Sequence, residues 1–328
     1  MIRIEIAPQW RFRRDSDPAT TLVLIELLNE IRLSGKITVA ASQVNLSYRH
    51  AWNLIESWAA FFEAPLVERQ RGRGTRLTPL GEKLAWAGQR LQARLGPQLQ
   101  NLSQELEAEI NEFLPQTAAT LGIHASHGFA ISKLREMLDD LREIPFDLRY
   151  ISNPGSLVSL ANGSCDLAGM HLPQGALRKR SISAVRGLVD PAEHRVIGFV
   201  TREMGLIVKS GNPLKISNLE RLTDPAIRLV NRDANSGSRL LFDQLLGQHG
   251  ISAQQINGYE QTEFTHAAVA AYVASGMADA AFGVEAAARQ FDLDFVRLAT
   301  EDYFFVCRAT SLDKTPVMRL LDLMRSDA

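Results

Sequence analysis

A chain of 328 residues, 45% hydrophobic and 22% charged, has the composition of a soluble protein with two or three domains that each bury a core. No apolar run reaches the roughly 18 residues that span a bilayer, and the opening MIRIEIAPQWRFRR lacks the apolar segment of a secretory signal, which sets aside membrane and export roles and points to the cytoplasm. The net charge of −1 hides an asymmetry: residues 1–100 carry 14 Lys and Arg against 9 Asp and Glu, the remainder 22 against 28, as in a nucleic-acid module joined to an acidic second part.

Residues 2–14 alternate like a strand, with Ile2, Ile4 and Ile6 on one face. Ala19–Leu33 has Leu22, Ile25, Leu28 and Ile31 at helical spacing and is closed by Ser34-Gly35. A short helix over Thr38–Val44, a turn at Asn45-Leu46 and a longer helix capped by Ser47 and reaching about Phe62 come next. Two β-prone pieces, Leu66–Arg69 and Thr75–Thr78, flank a tight Gln70-Arg-Gly-Arg-Gly74 tip. From Pro79 to Phe113 leucines recur every three, four or seven residues, from Leu80 through Leu91 and Leu99 to Ile110. That stripe suits a dimer seam, or else a helix folded back on its own domain, and Gly96-Pro97 interrupts or kinks it. Residues 114–120 read as a linker.

Beyond the linker the pattern is βαβ, which implies a mostly parallel sheet covered on both faces. Strands are expected near 118–123, 146–151, 166–170, 195–200, 204–208, 227–231, 256–260, 279–283 and 294–298. Helices are expected near 128–141, 155–162, 216–222, 237–249, 264–276, 285–290 and 314–326. Cys165 and Cys307 lie far apart with no ligand spacing around them and read as small core residues, so neither a disulfide nor a metal is expected.

Helix, short helix, turn, longer helix and basic hairpin is the order of a winged helix-turn-helix. The third helix fits the major groove of double-stranded DNA, where its early residues reach base edges. Those residues are Ser47, Tyr48, Arg49, His50 and Asn53. Arg49 can pair with a guanine edge and Asn53 with adenine, while Ser47 serves equally as a helix cap. Arg71, Arg73 and Arg76 of the hairpin suit phosphates or the minor groove.

The run Ile37–Trp52, with Pro65-Leu-Val-Glu68, Gly72-Arg-Gly74 and Leu77-Thr-Pro-Leu-Gly81, resembles the DNA-binding domain of ModE-type molybdate-responsive regulators and, more distantly, of the LysR type. The resemblance covers about residues 15–95. It implies that the helix after the wing pairs two subunits. ModE-type regulators carry small barrel domains downstream, and this chain departs from that pattern. Its remainder resembles periplasmic binding proteins fused to regulators, of the molybdate/tungstate branch. The motifs that carry this likeness are Gly122–Gly128, Gly163–Gly169, Arg202–Val208, Asn231–Arg239 and Gly276–Gly283. The likeness implies two α/β lobes around a cleft, with ligand at strand ends and helix N-termini.

Three such helix starts carry donors for an anion: Ser126-His127 after the first strand, Asn153 and Ser156 after the second, and Ser236, Ser238 and Arg239 in the second lobe. Arg202 on the inter-lobe crossing supplies charge or pairs with a neighbouring acid, and His266 opens a later helix facing the same cleft. The expected organisation is a winged helix-turn-helix over 1–80, a mainly α unit; a long linker and dimerisation helix over 81–114; and a two-lobed α/β sensing domain over 115–328, its second lobe about 203–292. The expected function is DNA-binding transcriptional regulation by a homodimer or homotetramer under control of a small anionic effector: molybdate, tungstate, another oxyanion or a small carboxylate. A solute-binding protein and a sensor of a neutral cofactor-like molecule are the alternatives. No catalytic residues or bound cofactor are expected, because no nucleophile elbow, phosphate-binding loop or zinc-binding helix motif occurs.

Overall fold

The computed structural model describes residues 2–14, 17–21, 23–70, 74–113, 120–141 and 144–325. The chain forms two compact units, Ile6–Gly96 and, together with Met1–Glu5, Pro97–Ala328.

In the first unit β1 (Trp10–Arg14) pairs antiparallel with β2 (Asp17–Thr21), and three helices follow: α1 (Leu24–Ser34), α2 (Ile37–Gln43) and α3 (Tyr48–Phe62). The wing is β3 (Val67–Gln70) and β4 (Gly74–Leu77), and α4 (Pro79–Glu112) leaves from it. The apolar stripes meet as expected: Leu24, Leu28 and Ile31 of α1 close on Ala40 of α2 and Ala51, Ile55 and Trp58 of α3. Phe12 of β1 sets its ring edge-on to Trp58 and Phe62, at 5.6 and 5.3 Å between centroids, which fastens the hairpin to α3. Thr78 fixes the exit into α4. Its hydroxyl donates to the Pro65 carbonyl and accepts from the Gly81 amide, so the Leu-Thr-Pro-Leu-Gly motif is a helix cap tied to the wing.

Two expectations fail at the N-terminus. Residues 2–9 form no strand, because Ile2 and Ile4 give their backbone groups to Asn111 and Glu107 of α4 instead of to a ladder. The helix expected from Ala19 starts at Leu24, since Asp17–Thr21 is used by β2. The helix α4 runs through Gly96-Pro97, and the division between the units falls at that step, where proline offers no N–H to the turn before it.

The second unit holds β5 (Leu121–Ala125), α5 (Phe129–Leu141), β6 (Phe146–Tyr150), α6 (Asn153–Ala161), β7 (Leu167–Pro173), α7 (Arg178–Val185) and a long β8 (His194–Val208). Then come β9 (Leu229–Arg232), α8 (Gly237–Gln248), β10 (Thr262–Glu263), α9 (His266–Ala274), β11 (Ala280–Val284), α10 (Glu285–Gln290), a second long strand β12 (Asp294–Arg308) and α11 (Thr315–Arg325). The sheet order is β10-β9-β11-β8-β12-β7-β5-β6. β5, β6 and β7 are mutually parallel in one lobe, β9, β10 and β11 in the other. The antiparallel pair β8 and β12 spans both.

Both lobes use one device. A glycine turn after α6 or α9 leads through two residues to an aspartate and then a buried strand. Asp166 accepts from the Gly122 amide and pairs with Lys314, while Asp279 accepts from the Arg228 amide and grips its guanidinium. The aspartates thus fasten each strand to its parallel neighbour.

The crossing strands depart from expectation. Two strands near 195–200 and 204–208 are one, because the polar Arg202-Glu203 between them is matched on β12 by Glu301 and by Arg297 with Thr300. The strand expected at 294–298 runs on to Arg308 for the same reason. The helix expected at 216–222 is reduced to one 3₁₀ turn, Glu220–Thr223. Ile216, Leu219 and Leu222 are buried at intervals of three, the period of that tighter helix. The edge strand lies at Thr262–Glu263 instead of 256–260, and α7 was not expected.

Pairing between β8 and β12 shifts register between Arg297 and Ala299, opposite Gly205 and Met204. A Cβ on Gly205 would lie 2.1 Å from the Val296 carbonyl oxygen, so the bulge requires glycine there. Gly205→Ala is expected to cost about 1–3 kcal/mol through forced displacement of β12. Calorimetry of the variant should show a melting temperature several degrees lower, and an unchanged one would contradict this packing.

Candidate effector cleft and nucleic-acid interface

The face of α3 opposite its buried Ala51, Ile55 and Trp58 is open. Ser47, Tyr48, Arg49, His50 and Asn53 are all exposed, with Arg49 and Asn53 one turn apart on one side. Ser47 caps the helix, its side chain accepting from the His50 amide. Asn45 takes the left-handed conformation that the preceding turn needs. Arg76 is exposed on β4, whereas Arg71 and Arg73 lie outside the described residues. Arg69, missed in the sequence, joins the wing to α3. Its guanidinium stacks 4.2 Å from the Trp52 ring centroid and donates to the Tyr48 hydroxyl at 3.1 Å. Tyr48 is thereby held by the wing while still exposed.

The second unit places a cleft of about 460 Å³ where the lobes meet, its wall including Gly128, Thr201, Arg202, His266, Glu285 and Tyr303. Arg202 comes from β8 and sends Nε and Nη2 to one oxygen of Glu301, its register partner on β12, at 2.9 and 2.7 Å. Burial pushes the Glu301 carboxyl up, and the Arg202 charge and hydrogen bonds oppose it. Tyr303, two residues further on β12, stacks against His171 of β7 at 5.7 Å between centroids. Burial drives its hydroxyl up to about 12.

Arg232, at the end of β9, is 7% exposed. It donates to the Phe264 carbonyl, and burial pulls its guanidinium down to about 10, which leaves it charged at neutral pH. Three histidines surround this charge. Burial, then the Arg232 charge, lowers His127 to about 4, and its ring meets Tyr150 edge-on at 4.8 Å. Burial with the charges of Arg202 and Arg232 holds His171 and His266 well below their ordinary value. The His266 Nε2 lies 3.2 Å from the Ser238 hydroxyl.

The starts of α6 and α8 meet across the cleft. A Cβ on Gly237 would lie 2.4 Å from the His171 Nε2 and 3.2 Å from the Asn153 amide nitrogen, so glycine alone permits this approach. First-turn N–H groups have no carbonyl within their own helix, and the helix dipole adds positive character at that end. Helix starts from both lobes thus approach each other beside His171, and the charges of Arg202 and Arg232 act on the same histidines, a setting suited to an anion.

Of the expected residues, Arg202 and His266 line this cleft; Ser238 meets the His266 ring, His127 directly precedes the lining Gly128, and Asn153 lies beside Gly237. Three expected residues have other duties. The Ser156 hydroxyl is fully buried and donates to the Ser152 carbonyl within its own turn. Ser236 caps α8, accepting from the Arg239 amide and donating to the Asp233 carbonyl. Arg239 is no clamp. It pairs with Asp243 one turn on, stacks 4.0 Å from the Tyr259 centroid and donates to the Arg232 carbonyl. Arg232, not read from the sequence, is instead the arginine whose charge acts on His127, His171 and His266. Among the described residues no group of three or more His, Cys, Asp or Glu is placed to hold a metal ion, and no helix is long and apolar enough to cross a membrane.

Comparison with known proteins agrees with this division. The uncharacterized protein YvgK of Bacillus subtilis (strain 168) is 33% identical over 158 residues, 48% of this chain and 51% of YvgK. The molybdenum transport protein ModE of Azotobacter vinelandii is 34% identical over 102 residues, 29% of this chain and 38% of ModE. The chain thus spans about half the length of the first relative and less of the second. The crystal structure of CbnR, a LysR family transcriptional regulator, aligns over 92% of this chain and 98% of CbnR, at 14% identity and a TM-score of 0.42. The ModE-like resemblance and the binding-protein-like one drawn from the sequence are borne out. The PBP-like family, a PBP superfamily domain, matches residues 134–325, more than half of the chain, and the chain belongs to that family.

Proposed function

We propose that this protein is a cytoplasmic transcriptional regulator whose hold on double-stranded DNA is set by a small anion bound between the lobes of its second unit. The observation that carries the reading is the combination in one chain of an open recognition helix with a cleft walled by Arg202, His266 and Tyr303 in the second unit, close to which the starts of α6 and α8 meet. Phosphates are met by the wing, base edges by Arg49 and Asn53. The effector acts by binding one arrangement of the lobes better than another, which twists β8 against β12. Molybdate or tungstate is the first candidate, because ModE-like sequence lies beside a PBP-like sensor, and a small carboxylate is the second. Self-association uses α4, where Leu102 and Ile110 remain exposed on the predicted seam.

Two outcomes are expected. Arg49→Ala and Asn53→Ala should each weaken binding to the promoter of the protein's own gene about 5- to 150-fold, the worth of one bidentate base contact, and leave ligand-induced thermal shifts intact. Fluorescence anisotropy across a salt series measures this. Wild-type protein with no preference for that DNA over random sequence would overturn the regulator. In a thermal-shift screen of molybdate, tungstate, sulfate and formate, at least one anion at about 100 times its Kd should add about 2.7 kcal/mol of stability. Arg232→Gln should erase that shift.

A further inference from the structure

Beyond Pro97 the helix α4 is turned inside out. Leu102 and Ile110 are exposed, whereas Ser103, Gln104, Glu107 and Asn111 are each under a tenth exposed. Burying polar side chains is costly unless they find partners. Glu107 and Asn111 find theirs in extended backbone near the start of the chain. The Asn111 side chain accepts from the Ile2 amide at 2.7 Å and donates to the Ile2 carbonyl at 3.0 Å. Glu107 accepts from the Ile4 amide through Oε1 at 2.8 Å and from the Arg3 guanidinium through Oε2 at 3.1 Å. Asn101, about three turns earlier, treats Tyr150 of β6 as Asn111 treats Ile2, donating to its carbonyl at 2.9 Å and accepting from its amide at 2.8 Å.

Arg3 joins three elements. Its guanidinium lies 3.1 Å from Glu107 of α4 and 3.4 Å from Asp139 of α5, and 4.7 Å from the ring centroid of Phe146 in β6. α4 is thus held at both ends of β6, at Tyr150 by Asn101 and at Phe146 through Arg3. The Glu107 side chain is 7% exposed, so losing Arg3 would leave a buried carboxylate without its cation. Ile2, by contrast, is 46% exposed. What α4 reads in this segment is its backbone and one guanidinium.

Chain connectivity turns the contact into a tie. Residues 2–5 belong with the second unit, yet β1 of the first unit begins at Trp10. Two covalent passages therefore join the units. One is α4 at Gly96-Pro97, where proline removes a helical N–H. The other is the run Ile6-Ala-Pro-Gln9, which spans at most about 14 Å when fully extended. A body held by one passage can turn about it, and a second short passage limits that turning.

We propose that residues 2–5 are a strap. By pairing their backbone with Glu107 and Asn111 they fasten the first unit to the second a second time and restrain its turning at Gly96-Pro97. The strap also shares α4 with Asn101, whose partner Tyr150 meets the His127 ring edge-on at 4.8 Å, next to the Gly128 that lines the cleft. On the regulator reading above, movement of the first lobe reaches the recognition helix by this route.

Neither DNA nor anion enters the measurement that tests the strap, so its failure is separate from failure of the regulator reading. A dye is placed on α3 at the exposed Glu56→Cys, in a Cys165→Ser background that leaves only the buried Cys307, and its time-resolved fluorescence anisotropy is followed in the full chain. The same dye at Lys133→Cys on α5 reports on the second unit. With the strap in place, both dyes should tumble with the whole chain. The first unit spans residues 6–96 of 328, so once freed it should turn about three times faster. Deleting residues 2–5 should add that faster component to the α3 dye and leave the α5 dye unchanged. Ile4→Ala keeps the amide and should behave as wild type, while Ile4→Pro removes it and should release the unit in part, as should Asn111→Ala. Circular dichroism checks folding, and the Ile4→Pro and Asn111→Ala variants carry the comparison if the deletion does not fold. An α3 decay unchanged by loss of the strap, or a fast component already present in wild type, overturns the proposal. Equal release by Ile4→Ala and Ile4→Pro overturns it too, because the backbone pairing would then not be what holds the unit.

Discussion

The second unit is organised by one buried ion pair. Arg202 and Glu301 sit opposite each other on β8 and β12, the strands that connect the lobes, and both nitrogens that Arg202 offers reach a single carboxylate oxygen. The Glu301 side chain is 1% exposed and that of Arg202 16%, so the pair is anchored on β12 and opens toward the cleft through β8. Removing one partner of such a pair leaves a buried charge, which is why the two strands hold their register at this level. One turn of pairing away the register slips beside Gly205. A rigid clamp next to a tight bulge defines where the lobes can turn relative to each other. It also explains why the polar stretch Thr201-Arg202-Glu203 lies inside a strand instead of ending one.

The first unit reaches its geometry by a different route, through small local ties. Thr78 links the wing to α4, Phe12 pins the N-terminal hairpin to Trp58, and Arg69 spans from β3 to Trp52 and Tyr48. Each tie is weak alone, yet together they orient the face that carries Arg49 and Asn53. Arg69 makes the division of labour concrete: it is a basic residue of the wing whose charge is placed over an aromatic ring, and it holds Tyr48 in position for its exposed neighbours.

The order of helices, the wing and the two-lobed α/β unit were legible because they rest on local patterns: leucine spacing, glycine turns and alternation of strand with helix. The crossing strands were misread because charged residues look like strand ends until their partners, about a hundred residues away, are known. The cleft was half legible. Donors at helix starts such as Ser126, Asn153 and Ser238 carry a sequence signal. Whether a hydroxyl then faces the cleft or its own turn, as Ser156 does, depends on the rotation of the helix. The exchange of Arg239 for Arg232 is the clearest case. Arg239 follows a Ser-Gly-Ser run and has the look of a clamp, but Asp243 one turn later claims it, a relation visible in the sequence. Arg232 ends a buried strand, and only the fold shows that its guanidinium has no ion-pair partner beyond the field of the adjoining Asp233.

That unanswered charge bears on how a cleft of this kind can signal. In the structure His171 of one lobe abuts Gly237 of the other, with unpartnered nitrogens and a lone guanidinium close by. Closing the lobes therefore collects polar groups whose needs are unmet from within the protein. The closed arrangement is penalised when empty and relieved when an anion fills it, which is the differential affinity that any ligand-driven shift requires. A cleft completed by its own carboxylates would close without ligand and report nothing. On the reading proposed above, the orphaned donors are the source of the response to ligand.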